Sequence, residues 1–181
     1  YWSKMIVSLG MKRQIGLEYF ILKAPGKEMH LMLVSVVKKL LPDRKVDDLL
    51  AMIYEYSVSS LLDVCAMLMS FGVKVTYVDA HSENVPYLNA LLSKGMQFKA
   101  RAHTRVHIES ELQSGRPVMC LINELGDKNS IVQSAVVIYG FDKNYFYFHD
   151  YQKKKAYLRM GKDQFMTSWK ATGYKAVFVR K

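Results

Sequence analysis

Two polar residues at the ends of one predicted β-hairpin are the strongest candidates for chemistry in this sequence. The segment from Ser134 to Asp150 reads SAVVIYGFDKNYFYFHD, and its β-branched and aromatic arms, 135–139 and 145–149, flank the turn-forming run Asp-Lys-Asn. Side chains alternate across a strand, so Ser134 belongs to one face of the first arm and Asp150 to one face of the second. If these faces coincide, the two residues meet near the open end of the hairpin, where a catalytic pair could sit.

Helical patterns dominate the first part of the chain and strand patterns the second. This order is typical of an α+β fold in which helices pack on a mostly antiparallel sheet. We expect a single domain with a helical part over about 1–72 and a sheet part over about 73–181. The patterns predict helices over 28–41, 46–56, 59–72, 85–95, 105–115 and 161–169, and strands over 73–78, 97–102, 117–123, the hairpin, 154–160 and 174–180, with a short strand or extended segment over 19–25.

The hairpin and the strand before it, GRPVMCLIN, resemble the end of papain-like cysteine peptidases. More narrowly, they resemble the bacteriocin-leader-processing (double-glycine) peptidases and their stand-alone relatives, at the level of pattern from about Gly72 to Phe178. The resemblance implies a papain-like fold. It also implies that the first hairpin strand opens with a catalytic His, that the second closes with the Asp or Asn that orients it, and that a nucleophilic Cys begins the first long helix.

The sequence departs from this pattern at both reactive groups. Ser134 stands where the family has its His, and a hydroxyl cannot accept a proton near neutral pH as imidazole does. No cysteine lies within thirty residues of the predicted helix start at Glu28, so Glu28 or Met29 occupies the approximate place of the nucleophile. Only the orienting acid, Asp150, is retained. The resemblance therefore implies a catalytically degenerate, cysteine peptidase-like protein with vestigial positions Glu28, Ser134 and Asp150.

The expected role of such a protein is to bind a peptide or a partner protein in the vestigial cleft. No cofactor is expected, and no metal site, because the i, i+4 pair His103 and His107 has no evident carboxylate partner. The residues predicted to line the cleft are Gly26, Lys27, Glu28, Met29, His30, Ser134 and Asp150.

The two cysteines have structural interpretations. Cys65 falls on the apolar stripe of a predicted helix, and Cys120 lies in the continuous apolar run VMCLI, which is typical of a strand covered on both faces. An alternative is that the protein is an active cysteine peptidase or amide-cleaving enzyme with a rearranged nucleophile, such as Cys65 with His149. That pairing needs a β-bulge, because alternation places His149 on the face opposite Asp150.

Composition favours a reducing, cytoplasmic location. Two cysteines in 181 residues cannot form a disulfide framework. No apolar run of about 18 residues and no secretion leader is evident, so membrane insertion is not expected. The hydrophobic content of 50% is enough to form a full core.

Charge supports a further alternative, a basic nucleic-acid-binding protein. Lys and Arg total 26 against 16 acidic residues, a formal charge of +10, and the excess grows after residue 128. Four tyrosines that interleave with these cations, Tyr145, Tyr147, Tyr151 and Tyr157, could stack on bases. The simpler interpretation is that the lysines form the solvated side of strands whose aromatic residues belong to the core.

Overall fold

The computed structural model describes residues 13–20, 26–81, 86–125 and 131–180. Within these ranges the chain forms helices and strands close to the predicted positions. The helices are α1 (Glu28–Leu40), α2 (Val46–Tyr54), α3 (Leu61–Ser70), α4 (Pro86–Ser93), α5 (Arg105–Gln113) and α6 (Lys162–Lys170). The strands are β1 (Arg13–Gln14), β2 (Lys74–Val78), β3 (Gln97–Lys99), β4 (Val118–Leu125), β5 (Ile131–Phe141), β6 (Tyr145–Asp150), β7 (Lys155–Gly161) and β8 (Ala176–Arg180).

One sheet collects the strands, in the order β3-β2-β8-β4-β5-β6-β7, with β1 paired to β5. The β2–β3 pair is parallel, and the other strand pairs are antiparallel. The predicted α+β class and the mostly antiparallel sheet are therefore confirmed.

Local signals explain where the helices begin and end. The Ser60 hydroxyl accepts the N–H of Asp63, whose carboxylate accepts the N–H of Ser60, so a complete capping box starts α3. The same helix ends at Ser70, and Gly72, which follows the C-cap residue Phe71, has a φ of +77°, a left-handed conformation that glycine adopts without a Cβ clash.

The predicted hairpin forms with the predicted relation between its two faces. Val136 lies opposite Asp150 and Ile138 opposite Phe148, and a bulge follows between Ile138 and Gly140. At the turn, Asp142 Oδ1 accepts the N–H groups of Asn144 and Tyr145 at 2.7 and 2.8 Å, which satisfies donors that the ladder leaves free.

Helix α6 covers the sheet face that carries Phe148. The ring of Phe165 lies 5.2 Å from that of Phe146 and 6.1 Å from that of Phe148, and all three side chains are almost fully inaccessible. Burying an aromatic side chain of this kind stabilises the fold by roughly 1.5–3 kcal/mol. This contact holds the hairpin against α6.

Two features of the first residues differ from the expected pattern. Strand β1 was not predicted, and it pairs with β5 through Arg13 opposite Phe141. Residues 19–20, at the start of the segment 19–25 that was expected to be extended, belong to no strand, and residues 21–25 lie outside the described residues.

Candidate functional site

The structure brings Ser134 and Asp150 together at the open end of the β5–β6 hairpin. Asp150 lies opposite Val136, which is two residues from Ser134 and on the same sheet face. Both side chains are fully buried. Within the described part of the chain, neither Ser134 Oγ nor Asp150 Oδ2 makes a hydrogen bond of normal geometry. The Ser134 hydroxyl is nevertheless close enough to stabilise the charged form of the Asp150 carboxyl.

Burial governs the protonation of Asp150. Removal from water raises the pKa of this carboxyl, and the Lys153 N–H, the Ser134 hydroxyl and the Lys153 ammonium oppose the rise without cancelling it. Because both groups are inaccessible, no substrate can reach them in this conformation.

The β6–β7 turn, residues 151–154, folds back over this pair. The Lys153 N–H donates to Asp150 Oδ1 at 2.8 Å, and the Lys153 ammonium forms an ion pair with Glu124 at the end of β4. Lys154 Nζ lies 3.8 Å from Glu28 Oε1, so the turn also reaches the first residue of α1. Sequence reasoning missed Glu124, Lys153 and Lys154, since charged residues near a turn carry no signal of their distant partners.

The start of α1 presents a partly exposed, charged segment. Gly26 is exposed with a φ of +75°, and its N–H donates to Glu28 Oε1 at 3.3 Å. Lys27, Glu28 and Met29 are half-buried. The structure thus places Glu28 beside the turn that covers Asp150 and leaves its neighbours accessible.

His30 lies on a different side of this helix. At about 100° per residue it is turned roughly 200° from Glu28. Its Nε2 lies 2.8 Å from the carbonyl oxygen of Tyr56 and its ring 5.5 Å from that of Tyr54, both at the end of α2. His30 is buried, and burial lowers the pKa of its ring. The helix therefore directs His30 towards α2 and not towards the turn over Asp150.

His149 is a core residue on the sheet face opposite Asp150. Its Nδ1 accepts the N–H of Tyr157 at 3.2 Å, its Nε2 faces the Leu17 carbonyl oxygen at 3.4 Å, and its ring stacks on Tyr139 at 4.4 Å. This burial lowers the pKa of His149 to about 4. The ring is neutral near pH 7, and both of its nitrogens face backbone groups.

Both thiols are buried, as their sequence patterns predicted. Cys65 and Cys120 are free cysteines with no accessible surface, and burial raises the pKa of each thiol. Helix α3, which carries Cys65, packs on β2, and β2 is four strand steps from β6, a separation of roughly 19 Å at about 4.8 Å per step. The structure therefore does not bring Cys65 and His149 together.

The four tyrosines among the late cations do not form an exposed row. Tyr151 and Tyr147 are 1% and 7% exposed. Tyr147 donates to Asp142 at 2.6 Å, and the Arg159 guanidinium covers the ring of Tyr145 at 4.9 Å. The simpler interpretation, that these aromatic residues are structural, agrees with the fold, and these four residues do not form the exposed platform that the nucleic-acid-binding alternative requires.

Comparison with known proteins adds little to this geometry. No family model and no curated protein matches the chain. Among solved structures, it is similar to the crystal structure of a "putative C39-like peptidase" from Bacillus anthracis, with 20% identity and a TM-score of 0.37. The match covers 44% of this chain and 48% of that chain, so it spans about half the length of the solved structure.

The described residues also bear on membrane insertion and metal binding. No helix among them has both the length and the apolar character needed to cross a bilayer. No group of three or more His, Cys, Asp or Glu side chains in these ranges is arranged to hold a metal ion.

Proposed function

We propose that this protein is a catalytically degenerate, cysteine peptidase-like binding module that holds a peptide or protein segment above its vestigial site. We define the rim as Gly26–Met29, Glu124 and Lys153–Lys155, the residues around the covered Ser134 and Asp150. The observation that carries the proposal is the full burial of Ser134 and Asp150 beneath a surface that stays partly exposed. Binding at the rim needs neither a thiolate nor an imidazole.

The charge of the rim favours an acidic ligand. Glu28 and Glu124 are paired with Lys154 and Lys153, which leaves the charges of Lys27 and Lys155 in excess. Lys155 is exposed, and the Lys27 ammonium lies 5.0 Å from the centre of the Tyr54 ring. An acidic segment could gain charge-assisted hydrogen bonds there while its backbone crosses the start of α1. The two free thiols support placing this module in the cytoplasm.

Peptide-array binding tests this proposal. Decapeptides of graded charge would be presented to the wild-type protein, to Lys155→Gln and to Lys170→Gln, a matched control at an exposed lysine in α6. We expect acidic peptides to be enriched, Lys155→Gln to weaken their binding several-fold, and Lys170→Gln to leave it unchanged. Equal binding by both variants, or no charge preference, would contradict the rim as the site.

A second measurement tests the loss of catalysis. The bound peptides would be incubated with the wild-type protein and with the double variant Cys65→Ala, Cys120→Ala, and analysed by mass spectrometry. We expect intact peptides in both samples. Cleavage by the wild-type protein that disappears in the double variant would establish an active cysteine peptidase and contradict the proposed loss of catalysis.

A further inference from the structure

A second polar site lies far from the rim, between α5 and the strands β3, β2 and β8. It is a cavity of about 190 Å³, smaller than the roughly 300–1,000 Å³ that drug-sized ligands occupy. Strand β2 is four strand steps, or roughly 19 Å, from β6. The polar side chains that line the cavity and carry the inference are Thr76, Lys99, His103, His107, Glu111 and Arg180.

Two histidines stand side by side in this cavity. The ring centres of His103 and His107 are 4.5 Å apart. His103 is only 4% exposed, and its ring packs 5.4 Å from that of Phe178. Such a pair is kept in place by its surroundings, because a polar ring this deeply buried has to be positioned by specific contacts.

When both rings are neutral, backbone contacts place the proton on Nδ1 of His103 and on Nε2 of His107. His103 Nδ1 lies 3.3 Å from the Arg101 carbonyl oxygen, so this nitrogen carries the proton and Nε2 is left with its lone pair. His107 Nδ1 accepts the N–H of Thr104 at 3.2 Å, so its proton resides on Nε2. His107 thus offers a donor when neutral, and His103 becomes a second donor when its Nε2 is protonated.

The charges around the cavity are mainly positive. Glu111 is its carboxylate, and this group is already paired with Arg116 at 2.5 Å and with Arg180 at 3.9 Å. Burial lowers the pKa of the His103 ring, and the nearby His107, Lys99 and Arg101 lower it further. The cavity lining therefore holds two cations, Lys99 and Arg180, and one carboxylate, Glu111, which is also paired with Arg116 outside the lining.

We propose that this cavity binds a small anion, specifically the phosphate group of inorganic phosphate or of a small phosphomonoester. Arg180 and Lys99 supply charge, His107 Nε2 supplies a fixed donor, and the Ser110 hydroxyl lies on the same lining. The volume of the cavity is below that of sites for drug-sized ligands, which favours a small anion. Neither the peptidase resemblance nor the proposed rim involves these residues.

Binding of an anion should take up a proton. The groups that face His103 are Lys99 and Arg101 from its own segment, His107 and Glu111 from α5, and Arg180 from β8. Burial first, and the surrounding cations second, disfavour the protonated form of His103. An anion in the cavity stabilises that charged form, so protonated His103 becomes its donor. The affinity should therefore rise as the pH falls from 8 to 6.

Titrations followed by NMR of the histidine ring protons test the site. The anions are inorganic phosphate, sulfate, whose charge is constant between pH 6 and 8, and phenyl phosphate, with chloride at equal ionic strength as the reference. We expect phosphate and sulfate to shift the His103 and His107 signals, with sulfate at least fivefold tighter at pH 6 than at pH 8. Tighter binding of phenyl phosphate than of phosphate would identify a phosphomonoester as the ligand, and weaker binding the free ion.

Two variants make the result specific. Arg180→Gln removes a cation from an exposed side chain, and His107→Gln keeps a capping-box residue at the third position of α5, so both should fold. Each should weaken phosphate at least fivefold, while Lys170→Gln should not. Shifts that chloride reproduces, or unchanged affinity in both variants, would overturn the proposal.

Discussion

Asp150 is an ionisable residue whose side chain is completely removed from water. It stands where the resembled sequence pattern has its orienting acid, yet it is fully buried near the Ser134 hydroxyl, which cannot serve as a base near neutral pH. A buried carboxylate without complete hydrogen bonding destabilises the protein, since its charged form has lost water. Asp150 is therefore a position where the cost of a buried charge to the stability of the fold can be measured.

The first prediction is that Asp150→Asn stabilises the fold at neutral pH by about 1 kcal/mol, the scale of one neutral hydrogen bond. The amide oxygen keeps the Lys153 N–H, and the amide nitrogen can donate to Ser134. Because the pKa of Asp150 is raised, its penalty is absent below the unfolded pKa and grows as the pH rises through the folded pKa. Urea unfolding of both proteins from pH 3 to 8 should show the advantage of the variant shrinking at acid pH.

Asp43→Asn, at an exposed loop residue, is the control and should match wild type throughout. A loss of stability in Asp150→Asn at neutral pH would mean that the charge of Asp150 is needed by the fold.

For His149 we predict that the unfolding free energy rises with pH in the acid range, the opposite of the trend expected for Asp150. Its pKa falls from 6.5 to about 4 on folding, so the unfolded chain binds a proton between these values that the folded ring does not. The stabilisation that the neutral ring provides is fully present above the unfolded pKa and is lost as the pH falls towards 4. The total loss of unfolding free energy is about 3 kcal/mol. Unfolding free energies of wild type and His149→Gln should converge over this window, whereas Ile131→Thr, at an exposed side chain that cannot titrate, should stay parallel to wild type.

At the scale of elements, a buried hydroxyl chain attaches α1 to the end of β6. Tyr151 donates to Ser35 at 2.5 Å, and Ser35 donates to the Leu31 carbonyl oxygen at 3.1 Å. Both side chains are almost completely inaccessible. This contact and the Glu28–Lys154 ion pair attach the same helix to the same turn, so α1 is held there both inside the core and at the surface.

A double-mutant cycle measures the buried contact. Ser35→Ala leaves the Tyr151 hydroxyl buried without its partner and should cost about 1–3 kcal/mol, whereas Tyr151→Phe should cost about 1 kcal/mol because Ser35 keeps Leu31. The double variant should lose less than the sum, with a coupling of about 1 kcal/mol in urea unfolding. Tyr56→Phe, at a side chain that is 56% exposed, is the control. Additive losses would show that the hydroxyl chain does not couple the elements.

Elements defined by local patterns were predicted well, and long-range relations were not. The faces of the hairpin followed from alternation and turn chemistry, and the burial of Cys65 followed from helical spacing. The parallel β2–β3 pair, the β1–β5 pair and the turn folded over Asp150 depend on contacts between distant residues. For that reason the sequence placed Ser134 beside Asp150 but could not show that both are covered.

At the scale of the molecule, the two thiols report on different parts of one core. Cys65 lies in α3, which packs on β2, and Cys120 lies in the middle of β4, paired with Val136 and Ala176. The buried apolar residues around them form a continuous cluster that includes both helical and sheet residues. A core of this kind favours exposure of both thiols in the same cooperative opening.

Thiol labelling tests this cooperativity. Cys65→Ala and Cys120→Ala each leave one thiol, and native-state labelling with an aromatic disulfide at pH 7.5 gives the free energy of the opening that exposes it. We expect each opening free energy to equal the global unfolding free energy of the same variant in urea. Much faster labelling of Cys65 than its global value allows would mean that α3 opens alone. In that case Cys65 would become accessible without global unfolding. This result would support the alternative of a rearranged nucleophile, which the burial of Cys65 does not support.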